Sequence, residues 1–175
     1  MSDAGLSPSH EVVAVDEYGQ TRAGFIAGET ALTLFLDGRE IVTLMTIGAH
    51  PEALALGYLR NQRFVEDIRQ IRSVTVDHEQ ESVHVVTHDG IEGWDEKLKK
   101  RTVTTGCGQG TVFSCTLDSL YTVRLPDVSI RQSTLYALLE NVSGHNGIYR
   151  RAGAVHGCGL CLGDEILIYT EDVGR

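Results

Sequence analysis

Hydrophobic and polar residues alternate through much of the chain's first half, and that period of two predicts strands. In 29–48, Leu32, Leu34 and Leu36 alternate with Thr33 and Phe35, Asp37-Gly38 follows, and Ile41-Val42-Thr43-Leu44 returns. Asp-Gly between two such runs predicts a hairpin, because both residues tolerate the positive φ of a tight turn. Short strands are also expected at 11–15, 73–77 and 82–88. In the last two, Val74 and Val76 flank Thr75, and Val83 and Val85 flank His84, so each has one wet face. The period changes at Pro51, a residue suited to a first helical turn. From there Ala53, Leu54, Leu56, Gly57, Leu59 and Phe64 form a helical stripe. A short helix is expected at 66–70, and another at 134–141 with Ser133 as its N-cap and Gly144 as its stop. The segment 110–120 fits either helix or strand. Two final strands, 152–162 and 165–169, would join at Gly163-Asp164. Residues 1–10, small, polar and aperiodic, are expected to form a flexible N-terminal arm, and 11–175 a single domain. Hairpins alternating with helices predict an α/β (α+β) fold, a mixed β-sheet with flanking helices.

Composition narrows the function classes. A chain of 175 residues can bury one ordinary core. The formal net charge of -9 argues against nucleic-acid binding, which needs a basic surface to displace counterions. No apolar stretch approaches the roughly 20 residues that cross a bilayer, and the N-terminus shows no basic and apolar leader pattern. The expectation is a soluble cytoplasmic protein with neither membrane nor nucleic acid as partner.

Chemistry then rests on four cysteines. Cys107 stands in Thr104-Thr105-Gly106-Cys107-Gly108-Gln109-Gly110, directly after a basic run of Lys97, Lys99, Lys100 and Arg101. Flanking glycines remove side-chain cover, and neighbouring cations favour the nucleophilic thiolate. A tight turn holding a small buried cysteine is the competing reading, and the loop alone leaves both open. Cys158-Gly159-Leu160-Cys161 is a C-x-x-C, but within a strand its two thiols point to opposite faces, against shared redox work. Small-residue packing is expected there instead. Cys115, beside Val112 and Phe113, reads as a core residue. No zinc spacing is present, so no metal site is expected. His156 reads as a hydrogen-bonded structural histidine, with proton transfer near the Cys107 loop as the alternative. Glu171, Asp172 and Arg175 read as a solvated turn, with an active-site rim as the alternative. No Walker motif, dinucleotide fingerprint or serine nucleophile elbow occurs.

Three strings carry a resemblance: Thr105-Gly106-Cys107-Gly108, Gly153-Ala154-Val155-His156 and Glu171-Asp172-Val173-Gly174-Arg175. In order and spacing, together with Pro51-Glu52-Ala53-Leu54-Ala55-Leu56-Gly57-Tyr58-Leu59, they resemble the FdhD family of sulfur carriers from about residue 25 onward. The resemblance implies a cytidine-deaminase-like fold and sulfurtransferase activity needed for formate dehydrogenase. It implies that a cysteine desulfurase donates sulfur, which Cys107 carries as a persulfide to the molybdenum cofactor in its bis guanine dinucleotide form. That cofactor would be a transient ligand, not a resident group, and its binding residues are left unassigned. A homodimer is left open. Members with two loop cysteines read C-G-x-C-G, and the second position here is Gly110. Members also continue past the Glu-Asp-Val-Gly-Arg string, so the fold is expected to be incomplete, with exposed apolar surface. The alternative function is a non-catalytic cofactor- or guanine-nucleotide-binding chaperone, or an inactive remnant.

Overall fold

In the computed structural model, residues 7–91, 101–103, 111–113 and 123–173 are described. The first ribbon pairs β1 (Ser9–Val15) antiparallel with β2 (Thr21–Ala27). The Asp16 carboxylate shapes its turn by accepting the backbone N–H groups of Tyr18 and Gln20 at 3.0 and 2.9 Å. β1 therefore begins two residues inside the expected arm. β2 was not expected, because its large apolar residues Phe25 and Ile26 are adjacent and hide the alternation.

β3 (Thr30–Leu36) and β4 (Arg39–Thr46) form the predicted hairpin, with Asp37 at φ 48° and Gly38 at φ 77°. The turn aspartate has a second task. Its carboxylate accepts the backbone N–H and the hydroxyl of Thr87, both at 2.8 Å, tying the turn to a strand 50 residues away. That strand, β6 (Ser82–Thr87), pairs antiparallel with β5 (Ile71–Asp77) and parallel with β3. The result is a mixed four-stranded sheet in the order β4-β3-β6-β5.

Helix α1 (Pro51–Asn61) covers one face of this sheet. Proline opens it, Glu52 meets the positive end of its dipole, and its sequence holds no β-branched residue. Leu34, Leu36, Val83 and Leu59 are essentially inaccessible, packed with Leu32, Ile41, Ala55, Phe64 and Val65. Each such side chain contributes roughly 1.5–3 kcal/mol by leaving water. The opposite face is more polar. Phe35 stacks on His84 with ring centroids 4.7 Å apart, and the Thr33 and Thr43 hydroxyls meet at 3.0 Å. The expected helix at 66–70 is a single 3-10 turn, Ile68–Gln70, capped by Asp67.

Further along come a short antiparallel pair, β7 (Arg101–Val103) with β8 (Thr111–Phe113), then α2 (Gln132–His145) and α3 (Gly147–Ala152). The last ribbon is β9 (His156–Leu162) with β10 (Glu165–Asp172). Ser133 does not cap α2. The Arg131 carbonyl already accepts from Thr134 and Leu135, so the helix begins ahead of Ser133, and Gly144 lies inside it. α3 reaches β2, where the Arg151 guanidinium lies 3.9 Å from the Phe25 ring centre. Among described residues 123–173, Val155 is the one buried hydrophobic, while Leu139 and Leu162 are about two-thirds exposed.

Candidate functional site

The β9–β10 ribbon holds His156, the last residue of one string, and Glu171-Asp172, the first two of another, and its register places them side by side. His156 faces Asp172 across the ladder, Gly157 faces Glu171, Cys158 faces Thr170 and Gly159 faces Tyr169. Side chains alternate between faces along a strand. One face therefore holds Gly157, Gly159, Cys161, Tyr169 and Glu171, and the other His156, Cys158, Leu160, Ile168, Thr170 and Asp172.

The first face is built against the helices. Tyr169 lies over Gly157, so closely that a β-carbon there would run into the phenol oxygen. The Tyr169 ring also meets that of His145 on α2, 5.7 Å between centroids. Burial, then the neighbouring Glu171 carboxylate and Cys158, hold the Tyr169 phenol above its ordinary pKa. Glu171 is itself buried, at 8% exposure. Its two oxygens accept the backbone N–H groups of Ile148 and Tyr149, each at 2.9 Å. Those are first-turn donors of α3 with no partner inside the helix, and a carboxylate satisfies both their hydrogen bonding and the helix dipole.

Asp172 points the other way, to the four-stranded sheet. Its Oδ2 accepts the Thr46 hydroxyl at 2.8 Å, and its Oδ1 accepts the backbone N–H groups of Ile47 at 2.9 Å and Val173 at 2.7 Å. Thr46 is buried at the end of β4, and its oxygen also accepts the Gly48 N–H at 3.2 Å. The acidic pair is thus no solvated turn, as the sequence suggested. It is a two-way clasp at a strand end, with one carboxylate seating α3 and the other joining the ribbon to the sheet. Thr46 was missed because no local pattern links it to a carboxylate 126 residues away. Val173 is the last described residue, and Arg175 lies outside the described set.

The His156 side chain is exposed, and it makes no side-chain hydrogen bond to another described residue. One further expectation is corrected on this ribbon. Cys158 is exposed rather than packed. Cys161 is half-buried with its sulfur toward the Tyr169 side, so the two thiols sit on opposite faces as predicted. Among the described residues, no three His, Cys, Asp or Glu side chains gather where a metal ion would fit. No described helix is long and apolar enough to cross a membrane.

Cys107 and Cys115 lie outside the described residues. The frame around Cys107 is described. Val103 of β7 pairs with Thr111 of β8, and seven residues join them. By sequence, Cys107 is the middle one of the seven.

Residues 27–175 match the sequence pattern of the FdhD/NarQ family. The chain is 26% identical over 154 residues to the sulfur carrier protein FdhD of Shouchella clausii, covering 86% of this chain and 58% of that protein. It is 29% identical over 150 residues to the sulfur carrier protein FdhD of Bacillus subtilis, covering 84% of this chain and 56% of that one. The chain therefore spans little more than half the length of these relatives. Its backbone superposes on a candidate formate dehydrogenase accessory protein from Desulfotalea psychrophila with a TM-score of 0.65 and 21% identity, over 97% of this chain and 64% of that one. That likeness establishes the α/β fold with its mixed sheet.

Proposed function

The chain belongs to the FdhD/NarQ family, and from that premise we propose that it is a sulfur carrier serving formate dehydrogenase, with Cys107 as the carrying residue. The observation that bears most weight is the match over 27–175, a span that includes the cysteine loop and the Gly-Ala-Val-His and Glu-Asp-Val-Gly-Arg strings. The names of the relatives supply the sulfur-carrier role and the formate dehydrogenase connection.

The chemistry follows from the loop. The Cys107 thiolate attacks the outer sulfur of a persulfide on a cysteine desulfurase. A new S–S bond forms on Cys107, the donor's S–S bond breaks, and the donor leaves as a thiolate with no net redox change. Delivery breaks the Cys107 S–S bond in turn. The sulfur then becomes sulfide on the molybdenum cofactor in its bis guanine dinucleotide form, and the two electrons required come from the reduced acceptor. Placement between two paired strands suits a residue that must meet donor and acceptor in succession. The basic run at 97–101 would favour the thiolate over the thiol. Because the loop has Gly110 where some members hold a second cysteine, the loop itself supplies no second thiol to resolve the persulfide. The protein would act in the cytoplasm, where its donor and acceptor are made.

The test is uptake of labelled sulfur from a desulfurase. Cys107→Ala should abolish it, whereas Cys158→Ala, Cys161→Ala and Cys115→Ala should retain most of it. Uptake that survives in Cys107→Ala would refute the proposal.

A further inference from the structure

We infer that Thr46 is a positioning residue: through Asp172 it sets the seat of the β9–β10 ribbon on the four-stranded sheet, and with it the place of His156. The inference rests on the sulfur-carrier proposal only for its functional consequence. The geometry stands apart from it.

Four hydrogen bonds converge at this one point. The Thr46 hydroxyl donates to Asp172 and accepts from the Gly48 N–H, while Asp172 also receives the N–H groups of Ile47 and Val173. Thr46 is buried at 1% exposure, so water cannot take over its role. A hydroxyl is needed here, since one atom must donate to a carboxylate and accept from an amide at once. Valine has the same shape and does neither. Serine does both.

The direction of the effect follows from register. Asp172 is the cross-strand partner of His156. Moving Asp172 moves the opening of β9, which follows the left-handed pair Gly153 (φ 64°) and Ala154 (φ 55°). A non-glycine residue in that conformation stays there only while its surroundings hold it. The clasp thus ties the strand that pairs with His156, the end of the Gly-Ala-Val-His string, to the sheet at Thr46 and Ile47. Glu171 cannot substitute, because its oxygens are occupied at α3.

The experiment compares Thr46→Val and Thr46→Ser by amide hydrogen exchange, by the imidazole NMR signals of His156, and by two sulfur assays. In Thr46→Val, exchange at Ile47, Gly48, Gly157 and Val173 should rise about ten-fold or more, the loss expected for a buried hydrogen bond to a charged group. Exchange in β3 and β6 should stay unchanged, and the His156 signals should shift. Sulfur uptake on Cys107 should hold within about two-fold while activation of formate dehydrogenase falls about ten-fold. Thr46→Ser should restore all of these. Uptake and activation falling together, or serine failing to rescue, would mean that Thr46 is merely structural and would overturn the inference. Unchanged exchange in Thr46→Val would overturn it outright. Absence of uptake in the unaltered chain would count against the sulfur-carrier proposal, and the exchange and NMR results would still decide the clasp.

Discussion

Glu171→Gln isolates one carboxylate of the clasp with almost no change in shape. In the unaltered chain, both oxygens accept first-turn amides of α3 at 2.9 Å in a site with 8% exposure. The amide keeps one acceptor and turns an N–H₂ group toward the other backbone N–H. One charge-assisted bond is lost, at about 1.5–3 kcal/mol, and a buried donor is left facing a donor, at about 1–3 kcal/mol. Relief from burying a charge offsets part of this. The net cost is therefore about 2 kcal/mol, concentrated at α3. The disturbance should spread along one path, because α3 holds Arg151 against Phe25 of β2. Amide exchange at Ile148 and Tyr149 should accelerate by more than about ten-fold, and exchange across β2 should increase less. Urea denaturation gives the global value from the shift in midpoint at constant slope. A loss below about 0.5 kcal/mol with unchanged exchange at Ile148 and Tyr149 would refute the assignment of Glu171 as the helix anchor.

Three other outcomes follow from the same structure. Leu34→Ala, at 0% exposure in a central strand, should lower stability by about 2–5 kcal/mol in urea denaturation. Cys158 should be alkylated faster than Cys161, as judged by peptide mass mapping after brief treatment with maleimide, because Cys158 is exposed and Cys161 half-buried. Tyr169 should ionise later than an ordinary tyrosine in an ultraviolet titration, and Glu171→Gln should move it back toward normal. Its folded pKa is raised, so its contribution to stability is complete below the unfolded tyrosine value near 10 and is lost as pH climbs through the folded value.

What was legible in the sequence was local. Asp37-Gly38 announced its hairpin because both residues carry the turn's positive φ in their own chemistry. Pro51 and the run free of β-branched residues after it announced α1 for the same reason. The opposite orientation of Cys158 and Cys161 followed from strand periodicity alone. The clasp was not legible, because an aspartate reads alike whether it faces water or a threonine 126 residues away. Glu171 and Asp172 consequently looked like a solvated turn. Ser133 looked like an N-cap because its type suits one, whereas the carbonyl of Arg131 decided where the helix starts. The packing of Cys158 was misjudged for a related reason: exposure depends on which element covers a ribbon face, and no residue on the ribbon encodes that. Cys107 is a different case. The glycine loop alone left a reactive thiol and a buried turn both open, and its placement lies outside the described residues.

The most direct test of the sulfur-carrier account is intact and peptide mass spectrometry of the purified chain after incubation with a cysteine desulfurase and cysteine. The account predicts one added sulfur atom, removable by a reducing thiol, on the peptide that contains Cys107. A chain that gains no sulfur, or gains it on Cys158 or Cys161 with Cys107 unmodified, would contradict it.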